Sequence, residues 1–416
     1  MNLKHIKNCR ICGNPHLDKV LDLGMQFNQG NFILPNKPVP PFRKMPLEVL
    51  RCNTQKYENG CGLIQNSVVV PPEVLYMTYG YKSSISATMR AHLKSIVNRI
   101  LEIKPEIENG LVCDVGANDS YFLSQYPENT KKIGIDPSDV AKNVKQDNLT
   151  MVNECFPSDK LDIYSGKIDC ITAIACLYDI DNLDEFIGSI KQLLKKDGIA
   201  VFEVAYLLDV LDKLAFDERC FEHVSLFSLS TLERIFGHFR LKIFKAERTP
   251  TNGGSLLIFV CHDNQNFGTD KEKENLLALK FDEFEAQLDE SGTYEDFEFR
   301  VINYGRELKE TLEDLKRDGK TIALYACSTK INTVIQSFFL EEYFDYGIEK
   351  TEEKIGGSTM YGLSIIGEKE ARERADENTV WFIGPYSLKT EILNREIEFR
   401  NKGGKFLIPL PQIEII

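Results

Sequence analysis

A chain of 416 residues is too long for one ordinary hydrophobic core, so its length predicts two or three domains. Its net charge of −13 argues against nucleic acid as the main partner, because phosphate backbones are bound by an excess of Lys and Arg. The sequence contains no run of about 18 apolar residues, and its first residues lack the apolar stretch of a secretory signal. We therefore expect a globular protein that binds neither nucleic acid nor a membrane.

Four of the 11 cysteines lie near the N-terminus at a spacing that suits a metal site. Cys9 and Cys12 form a C-x-x-C knuckle, and Cys52 and Cys61 supply a second, looser pair. The surrounding segment is rich in loops and cannot bury much by itself, so four thiolates on one structural zinc ion are predicted to hold it together. His16 is an alternative ligand, and four unrelated thiols are the alternative interpretation.

The other cysteines lie mostly in apolar, strand-like runs, where cysteine behaves as a small buried side chain. An odd count without a signal peptide predicts a reducing, cytoplasmic location. The cysteines in these runs are Cys113, Cys170, Cys176, Cys261 and Cys327.

The elements that follow predict an α/β protein. After residue 71, a linker helix and a tyrosine-rich loop precede an amphipathic helix with apolar residues at helical spacing from Met89 to Ile100. From residue 110, strands and helices alternate, which indicates a mostly parallel sheet covered on both faces. The strands are GLVCDVGA, KKIGIDPS, LTMVNECF, KIDCITAIACLY and IAVFEVAYL; DNLDEFIGSIKQLLKKDG is a helix predicted to stop at Gly198; FRLKIFKAERTPTNGGSLLIFVCH holds two late strands.

A charged helical connector over about 263–317 leads to a second, smaller alternation that runs from KTIALYACS to KFLIPLP. We therefore predict three domains: a small lobe at 1–70, a central Rossmann-like domain at 71–262 and a C-terminal Rossmann-like α/β domain at 263–416.

The turn CDVGANDS has the features of a cofactor site. The strand ends at Asp114, Gly116 gives a tight turn into a helix N-terminus, and Asp136 follows at the end of the next strand, where a carboxylate can accept both ribose hydroxyls. The turn lacks the third glycine of a dinucleotide fingerprint, which favours an adenosyl ligand without a pyrophosphate over NAD. A plain βαβ unit is the alternative.

This turn, as DVGANDSYFL, resembles the D-I-G-x-N-D-G-x-x-L turn of the sugar C-methyltransferases that act on nucleotide-linked keto-deoxysugars. The similarity continues, in order, through CRICG, CGLIQ, YGYKSSISATMRAH, GIDPS, FEHVSLFSL, NGGSLL, YACSTKINTVIQSF and EILNREIEFRNKGGKFLIPLPQIEII. It implies a zinc-binding lobe, a central S-adenosylmethionine (SAM) domain and a C-terminal Rossmann-like domain, with a nucleotide-linked sugar held between the first two. The cofactor-binding residues that it implies are Asp114, Gly116, Asn118, Asp119, Asp136 and Pro137.

The segment FDERCFEHVSLFSL follows the fifth strand, at the carboxyl edge of the sheet where such sheets bind ligands. Methylation of a carbon next to a ketone needs a base, and histidine titrates near neutrality. The resemblance assigns that role to His223, with Glu222 orienting the substrate. Tyr79 and Tyr81 are implied to support the enolate or the sugar hydroxyls, and simple packing is the alternative for both.

Three departures from the family pattern keep other functions open. Where the family usually has a tyrosine and an arginine, this chain has Cys220 and Leu257. An O- or N-methyltransferase acting on a related sugar or small metabolite is therefore an alternative. The family prefers Gly at Ser120, so a non-catalytic homologue that binds SAM or a nucleotide sugar is another. The identity of the sugar, the role of the C-terminal domain and the oligomeric state, for which a monomer is one option, stay open.

Overall fold

The computed structural model describes residues 3–75 and 82–416, so the predicted site residues Tyr79 and Tyr81 lie outside the described residues. The architecture is α/β, as predicted. A lobe built on a four-stranded antiparallel sheet is followed by a seven-stranded sheet and then by a six-stranded sheet, both mostly parallel. Among the described residues, no helix is both long and apolar enough to cross a bilayer.

The N-terminal lobe packs one face of its antiparallel sheet into the core. Along the strand Met45–Cys52, Met45, Leu47 and Val49 are buried and alternate with half-buried residues, as expected for a strand with one face inward. Ser225–Leu226, from the central segment, forms the edge strand of this sheet. The strands of the lobe are β1 (Lys4–His5), β2 (Leu17–Gln26), β3 (Phe32–Ile33), β4 (Met45–Cys52), β5 (Ile64–Asn66) and β6 (Val68–Val69).

The central sheet alternates with helices that cover both faces. Its elements in chain order are α1 (Pro72–Leu75), α2 (Ala87–Ile103), β7 (Leu111–Val115), α3 (Tyr121–Ser124), β8 (Lys131–Ile135), α4 (Asp139–Lys142), β9 (Leu149–Val152), β10 (Ile168–Ile174), α5 (Leu183–Leu193), β11 (Leu194–Ala205), α6 (Leu207–Asp212), β12 (Ser225–Leu226), α7 (Leu229–His238), β13 (Leu241–Thr249), β14 (Ser255–His262) and α8 (Asp270–Glu285). Strand β12 is the edge strand of the lobe.

Hydrophobic burial fixes which helix lies on which face. Helix α2 begins at the N-cap Ser86, whose hydroxyl accepts a hydrogen bond from the backbone N–H of Met89, and its apolar stripe packs on one face of the sheet. On the opposite face, Phe202 of β11 contacts Phe236 of α7, with ring centroids 5.1 Å apart. The sheet is therefore buried on both sides, which accounts for strands that are apolar throughout, such as β14.

The strand order creates one crevice at the carboxyl edge of this sheet. The order is β13-β14-β11-β10-β7-β8-β9, with β7 to β11 parallel and β14 antiparallel to both of its neighbours. The direction of winding reverses between β7 and β10, and open α/β sheets bind ligands at such a reversal. The turn after β7 and the segment after β10 therefore flank the expected site.

The predicted stop of helix α5 at Gly198 is wrong. The helix ends at Leu193, and Gly198 lies inside β11. Leu194 already pairs with Ile168, and the register shifts between Ile168 and Cys170. A Cβ atom at Gly198 would lie 2.8 Å from Leu194 Cδ1 and 3.0 Å from the Ile168 carbonyl oxygen, so this glycine serves a close approach at an irregularity in the strand pair.

The C-terminal sheet has a second reversal of winding. Its order is β18-β16-β15-β19-β20-β21, parallel except for β21, and the reversal lies between β15 and β19. Its elements are α9 (Ser291–Arg317), β15 (Thr321–Tyr325), α10 (Thr329–Ser337), β16 (Tyr346–Glu349), β17 (Ser358–Thr359), β18 (Ile365–Gly367), α11 (Glu368–Arg374), β19 (Thr379–Ile383), α12 (Lys389–Arg395), α13 (Ile397–Asn401), β20 (Lys405–Ile408) and β21 (Glu414–Ile415).

The central and C-terminal parts of the chain each contribute a short strand that pairs with the lobe. Strand β12 completes the sheet of the lobe, and β17 of the C-terminal part pairs with β3 of the lobe. The connector predicted at 263–317 is helical, and its first helix, α8, packs against β13 of the central sheet. The division at residues 70 and 262 stays a prediction.

Candidate active site

The four N-terminal cysteines lie together in the lobe. Their sulfur atoms all lie within 4.8 Å of one another, with Cys9 and Cys61 at 3.4 Å and Cys12 and Cys52 at 3.4 Å. Zinc–sulfur bonds of about 2.3 Å place the corners of a tetrahedron about 3.8 Å apart, so this cluster fits a zinc ion with four sulfur ligands.

The surroundings of the cysteines also suit thiolate ligands. The Asn14 side chain donates a hydrogen bond to Cys52 Sγ at 3.2 Å, and the backbone N–H of Cys61 donates to the same sulfur at 3.4 Å. Gly13, with φ of 72°, closes the knuckle turn between Cys9 and Asn14. Such donors orient thiolates and offset their charge. The alternative ligand, His16, is not part of this cluster.

The turn after β7 brings the predicted cofactor residues together. Gly116 has φ of 76°, and its N–H bonds to the carbonyl of Ile135 at the end of β8. Asp136 accepts a hydrogen bond from the N–H of Asn118 through one carboxylate oxygen and from the N–H of Ser138 through the other. The glycine turn and the carboxylate are therefore tied into one unit at the place where the sequence analysis predicts the ribose.

Asp114 lies at the base of this unit and is almost fully buried. Burial raises the pKa of its carboxyl group to about 7, although a 2.5 Å hydrogen bond from the Thr172 hydroxyl acts in the opposite direction. The nearby charge of Asp136 contributes to the same rise in pKa. A cationic ligand beside these two carboxylates would favour their ionised form.

Ser120 keeps the turn although the family prefers glycine there. Its φ is 58°, in the left-handed region that glycine adopts without a steric penalty. The turn is also fixed from outside: Asn118 Oδ1 accepts the N–H of Ser83, and Asp119 Oδ2 accepts the N–H of Ser84, each at 3.1 Å. The backbone of Ser83 and Ser84 is thus hydrogen-bonded directly to the predicted cofactor turn.

His223 lies in a loop that the protein holds from several sides. Arg219 donates to the carbonyl oxygens of His223 and Ser225 and to Asn66 Oδ1 of the lobe. The backbone N–H of Phe221 bonds to a Gln29 side chain, also from the lobe. Contacts between domains therefore fix the backbone on both sides of the imidazole.

The imidazole itself is held through one nitrogen. His223 Nδ1 lies 2.9 Å from the Glu218 carbonyl oxygen and 3.5 Å from the Glu218 carboxylate, and the ring packs on Tyr178 with centroids 4.4 Å apart. Burial lowers the pKa of His223, but Cys220, Glu218 and Asp179 outweigh it and raise the pKa well above its ordinary value. Because Nδ1 is bonded to Glu218, Nε2 is the nitrogen with which we expect a ligand to interact.

Glu222 lies where the three parts of the chain meet. A Cβ atom on Gly30 of the lobe would collide with Glu222 Oε1 and would lie 3.5 Å from the Thr329 hydroxyl of the C-terminal domain. Only glycine permits this approach. Burial raises the pKa of the Glu222 carboxyl group above its ordinary value, and the charges of His223 and Lys354 offset only part of this rise.

The environment of Leu257 shows how this chain accommodates leucine where the family has arginine. Leu257 is fully buried in β14 and pairs with Glu203 of β11. The Glu203 carboxylate accepts hydrogen bonds from His92 Nε2 at 2.8 Å and from the Thr249 hydroxyl at 2.8 Å. A buried carboxylate needs such partners, and these two supply them without a guanidinium.

Family models match three successive parts of the chain. A zinc binding domain matches residues 9–76, a methyltransferase domain matches 86–245, and a C-methyltransferase C-terminal domain matches 250–411. The chain is an S-adenosylmethionine-dependent methyltransferase. The matches follow the order of the lobe, the central sheet and the C-terminal sheet, and SAM and zinc are the groups that these domains bind.

One curated relative matches the methyltransferase along its whole length. The C-methyltransferase NovU from Streptomyces niveus is 24% identical over 420 residues, covering 100% of this chain and 98% of the relative. Among solved structures, the PH0226 protein from Pyrococcus horikoshii is 14% identical, with 45% of this chain and 97% of that chain covered and a TM-score of 0.34. Magnesium protoporphyrin IX methyltransferase from Synechocystis is 17% identical, with 44% and 90% covered and a TM-score of 0.33.

Two residues close to the predicted site were not assigned to it by the sequence analysis. Cys176 was predicted within the strand, but both Cys176 and Asp179 follow β10, at the carboxyl edge of the sheet. Cys176 Sγ lies 3.2 Å from the Cβ position of Gly116. Burial raises the pKa of Asp179 to about 8, and its Oδ1 is buried without a partner in the part of the chain described. Both residues follow β10, one of the two strands at the reversal of winding, and this position could have indicated from the sequence that they lie near the site.

Replacing Asp136 with alanine should weaken SAM binding. The loss of charge-assisted hydrogen bonds to the ribose is expected to cost on the order of 1.5–3 kcal/mol, roughly a tenfold to hundredfold rise in Kd. Isothermal titration calorimetry with SAM measures the change in Kd. The matched control is Asp139→Ala, which removes an exposed carboxylate three residues further along the chain. Equal affinity in Asp136→Ala and wild type would mean that the ribose binds elsewhere.

Proposed function

We propose that the methyltransferase attaches a methyl group to a carbon atom next to the ketone of a nucleotide-linked keto-deoxysugar, with His223 as the base. The observation that carries this proposal is the imidazole held by Nδ1 in a buried acidic loop at the carboxyl edge of the sheet. The three-domain order and the full-length likeness to a C-methyltransferase support it. We also infer a cytoplasmic location from the cysteine content.

The chain's own residues supply the proton chemistry. Neutral His223 carries its proton on Nδ1, which donates to Glu218, so that the Nε2 lone pair takes the proton from the sugar carbon. The imidazolium that forms is stabilised by the Glu218 carboxylate. Glu222 lies beside it to hold a sugar hydroxyl, and bound SAM supplies an electrophilic methyl group.

The acidic surroundings also suit the cofactor. Asp114 lies near the end of β7, Asp136 directly follows β8, and Asp179 lies in the turn after β10, so all three are at the carboxyl edge of the sheet. A bound sulfonium cation would favour the ionised form of these groups, and the ionised groups attract the cation more than its neutral product. Ser138 Oγ, next to Pro137, is a buried hydroxyl without a partner in the described chain, as expected at a ligand site.

Methylation of oxygen or nitrogen is the second candidate, because Cys220 replaces the family's tyrosine. Cys220 is fully buried, so a phenol donor is missing at this position. An enolate needs donors more than a hydroxyl nucleophile does, and their loss would favour the second candidate.

The deciding experiment combines product analysis with hydrogen exchange. We expect ¹³C-methyl SAM and a panel of nucleotide-linked keto-deoxysugars to give a product with a carbon-bound methyl signal by NMR. With S-adenosylhomocysteine in place of SAM, the carbon next to the ketone should take up solvent deuterium. An oxygen- or nitrogen-bound methyl signal without deuterium uptake would replace this proposal by the second candidate.

A further inference from the structure

The carboxyl edge of the C-terminal sheet faces the loop that holds His223. Its winding reverses between β15 and β19, and such a reversal opens a crevice at the carboxyl ends of the strands. Lys330, in the first turn of α10, follows β15, and Tyr386 follows β19. Both side chains reach the same turn of the central domain, Phe216–Glu218.

The contacts across this junction are charged and buried. The Lys330 ammonium forms an ion pair with the Glu218 carboxylate and donates to the Asn252 carbonyl oxygen at 2.8 Å. The Tyr386 hydroxyl donates to Asp217 Oδ1 at 2.9 Å. The Glu218 side chain is only 4% exposed, so its charge depends on these partners rather than on water.

Glu218, which pairs with Lys330, also contacts His223. Its carbonyl oxygen and its carboxylate are the two groups that hold the imidazole Nδ1. Burial raises the pKa of Glu218, but Lys330 and His223 outweigh it and lower the pKa to about 2. The carboxylate is therefore ionised at neutral pH and shared by a lysine of one domain and a histidine of another.

We propose that Lys330 is a positioning residue: it fixes Glu218 so that the His223 imidazole keeps its proton on Nδ1 and turns Nε2 to the substrate. The C-terminal domain then completes the catalytic site of the central domain. The proposal rests on the proposed function for the role of His223 as a base, but the lysine–glutamate–histidine arrangement can be measured without a substrate.

The sign of the effect follows from the charges. Glu218 favours the imidazolium, and Lys330 reduces that effect by pairing with the same carboxylate. Removing the lysine should therefore raise the pKa of His223, and removing the glutamate charge should lower it. The other charged or titratable groups facing this cluster are Asp217, Arg219, Cys220 and Glu222 on the same loop, Tyr178 and Asp179 after β10, Arg10 of the lobe, and Lys354 and Tyr386 of the C-terminal domain.

The test uses full-length protein labelled with ¹⁵N-histidine, in which His223→Gln identifies the His223 signals among six histidines. Lys330→Met should move the pKa of His223 up by about one unit, and Glu218→Gln should move it down by at least as much. Lys330→Arg should restore the wild-type value. Lys316→Met, which breaks a more exposed lysine–aspartate pair in the same domain and far from His223 in the chain, is the control.

The same variants are then compared in methyl transfer. The acid limb of kcat/KM should follow the pKa of His223, upward in Lys330→Met and downward in Glu218→Gln. A Lys330→Met protein with lower Tm but unchanged tautomer and pKa of His223 would reduce Lys330 to a structural salt bridge and overturn the proposal. If Lys330→Met does not fold, an unchanged His223 pKa in Glu218→Gln overturns it equally.

The two proposals fail in different ways. Wild-type protein that methylates no nucleotide-linked sugar on carbon contradicts the proposed function, whatever the NMR titration shows. Opposite shifts in Lys330→Met and Glu218→Gln still support the positioning role of Lys330 in that case, since the titration involves no acceptor.

Discussion

Replacing His223 with glutamine should lower kcat for methyl transfer by about 10²–10⁴-fold and leave SAM affinity within about twofold of wild type. Glutamine fills a similar volume and can keep a donor near the Glu218 carbonyl, but it cannot take a proton from carbon. Single-turnover rates and SAM calorimetry together measure the two effects. His238→Gln, at the exposed end of α7, is the matched control and should be fully active.

The pH dependence gives this prediction a second readout. A base must be neutral before it acts, and the pKa of His223 is raised above its ordinary value. Activity should therefore increase with pH through that raised pKa, so that the acid limb lies above about pH 6.5. Full activity of His223→Gln, or an acid limb below that value, would remove His223 from the proton transfer.

The fold was largely predictable because its signals are local. Buried parallel strands read as apolar runs, and the turns between them carry Gly116 and Asp136 at positions that backbone geometry dictates. The end of α5 was not predictable in this way, because the pairing of Leu194 with Ile168 overrides a sequence that reads as helix up to Gly198. The two-residue strands β12 and β17 are too short for any periodicity and exist only through their partners in the lobe.

The residues of the candidate site also differ in whether local sequence signals could predict them. The proximity of the four cysteines and that of Asp136 to the Gly116 turn could be predicted, because a metal knuckle and the carboxyl edge of a sheet each bring residues together by rule. Lys330 could not be assigned to the site, because its contact with Glu218 depends on how two domains dock. Tyr79 and Tyr81 stay predictions.

Removing zinc should unfold the N-terminal lobe and abolish activity. Structural zinc supplies about 10–16 kcal/mol of apparent binding free energy in small domains, and here the cluster joins the knuckle turn to the end of β4 in the sheet of the lobe. Elemental analysis should find one zinc ion per chain, and Cys52→Ser should lose it together with much of the thermal stability. Cys155→Ser, at an exposed cysteine, is the control that should keep both.

Activity should fall with the zinc because the lobe holds the catalytic loop. Strand β4 ends at Cys52 and pairs with β5, and β5 pairs in turn with β12, two residues after His223. Asn66 of β5 also accepts from Arg219, which fixes the His223 carbonyl. Loss of the metal therefore loosens the imidazole through a continuous set of backbone pairs. Wild-type protein without zinc, or a chelated protein that keeps its Tm and its rate, would refute the structural role of the cluster.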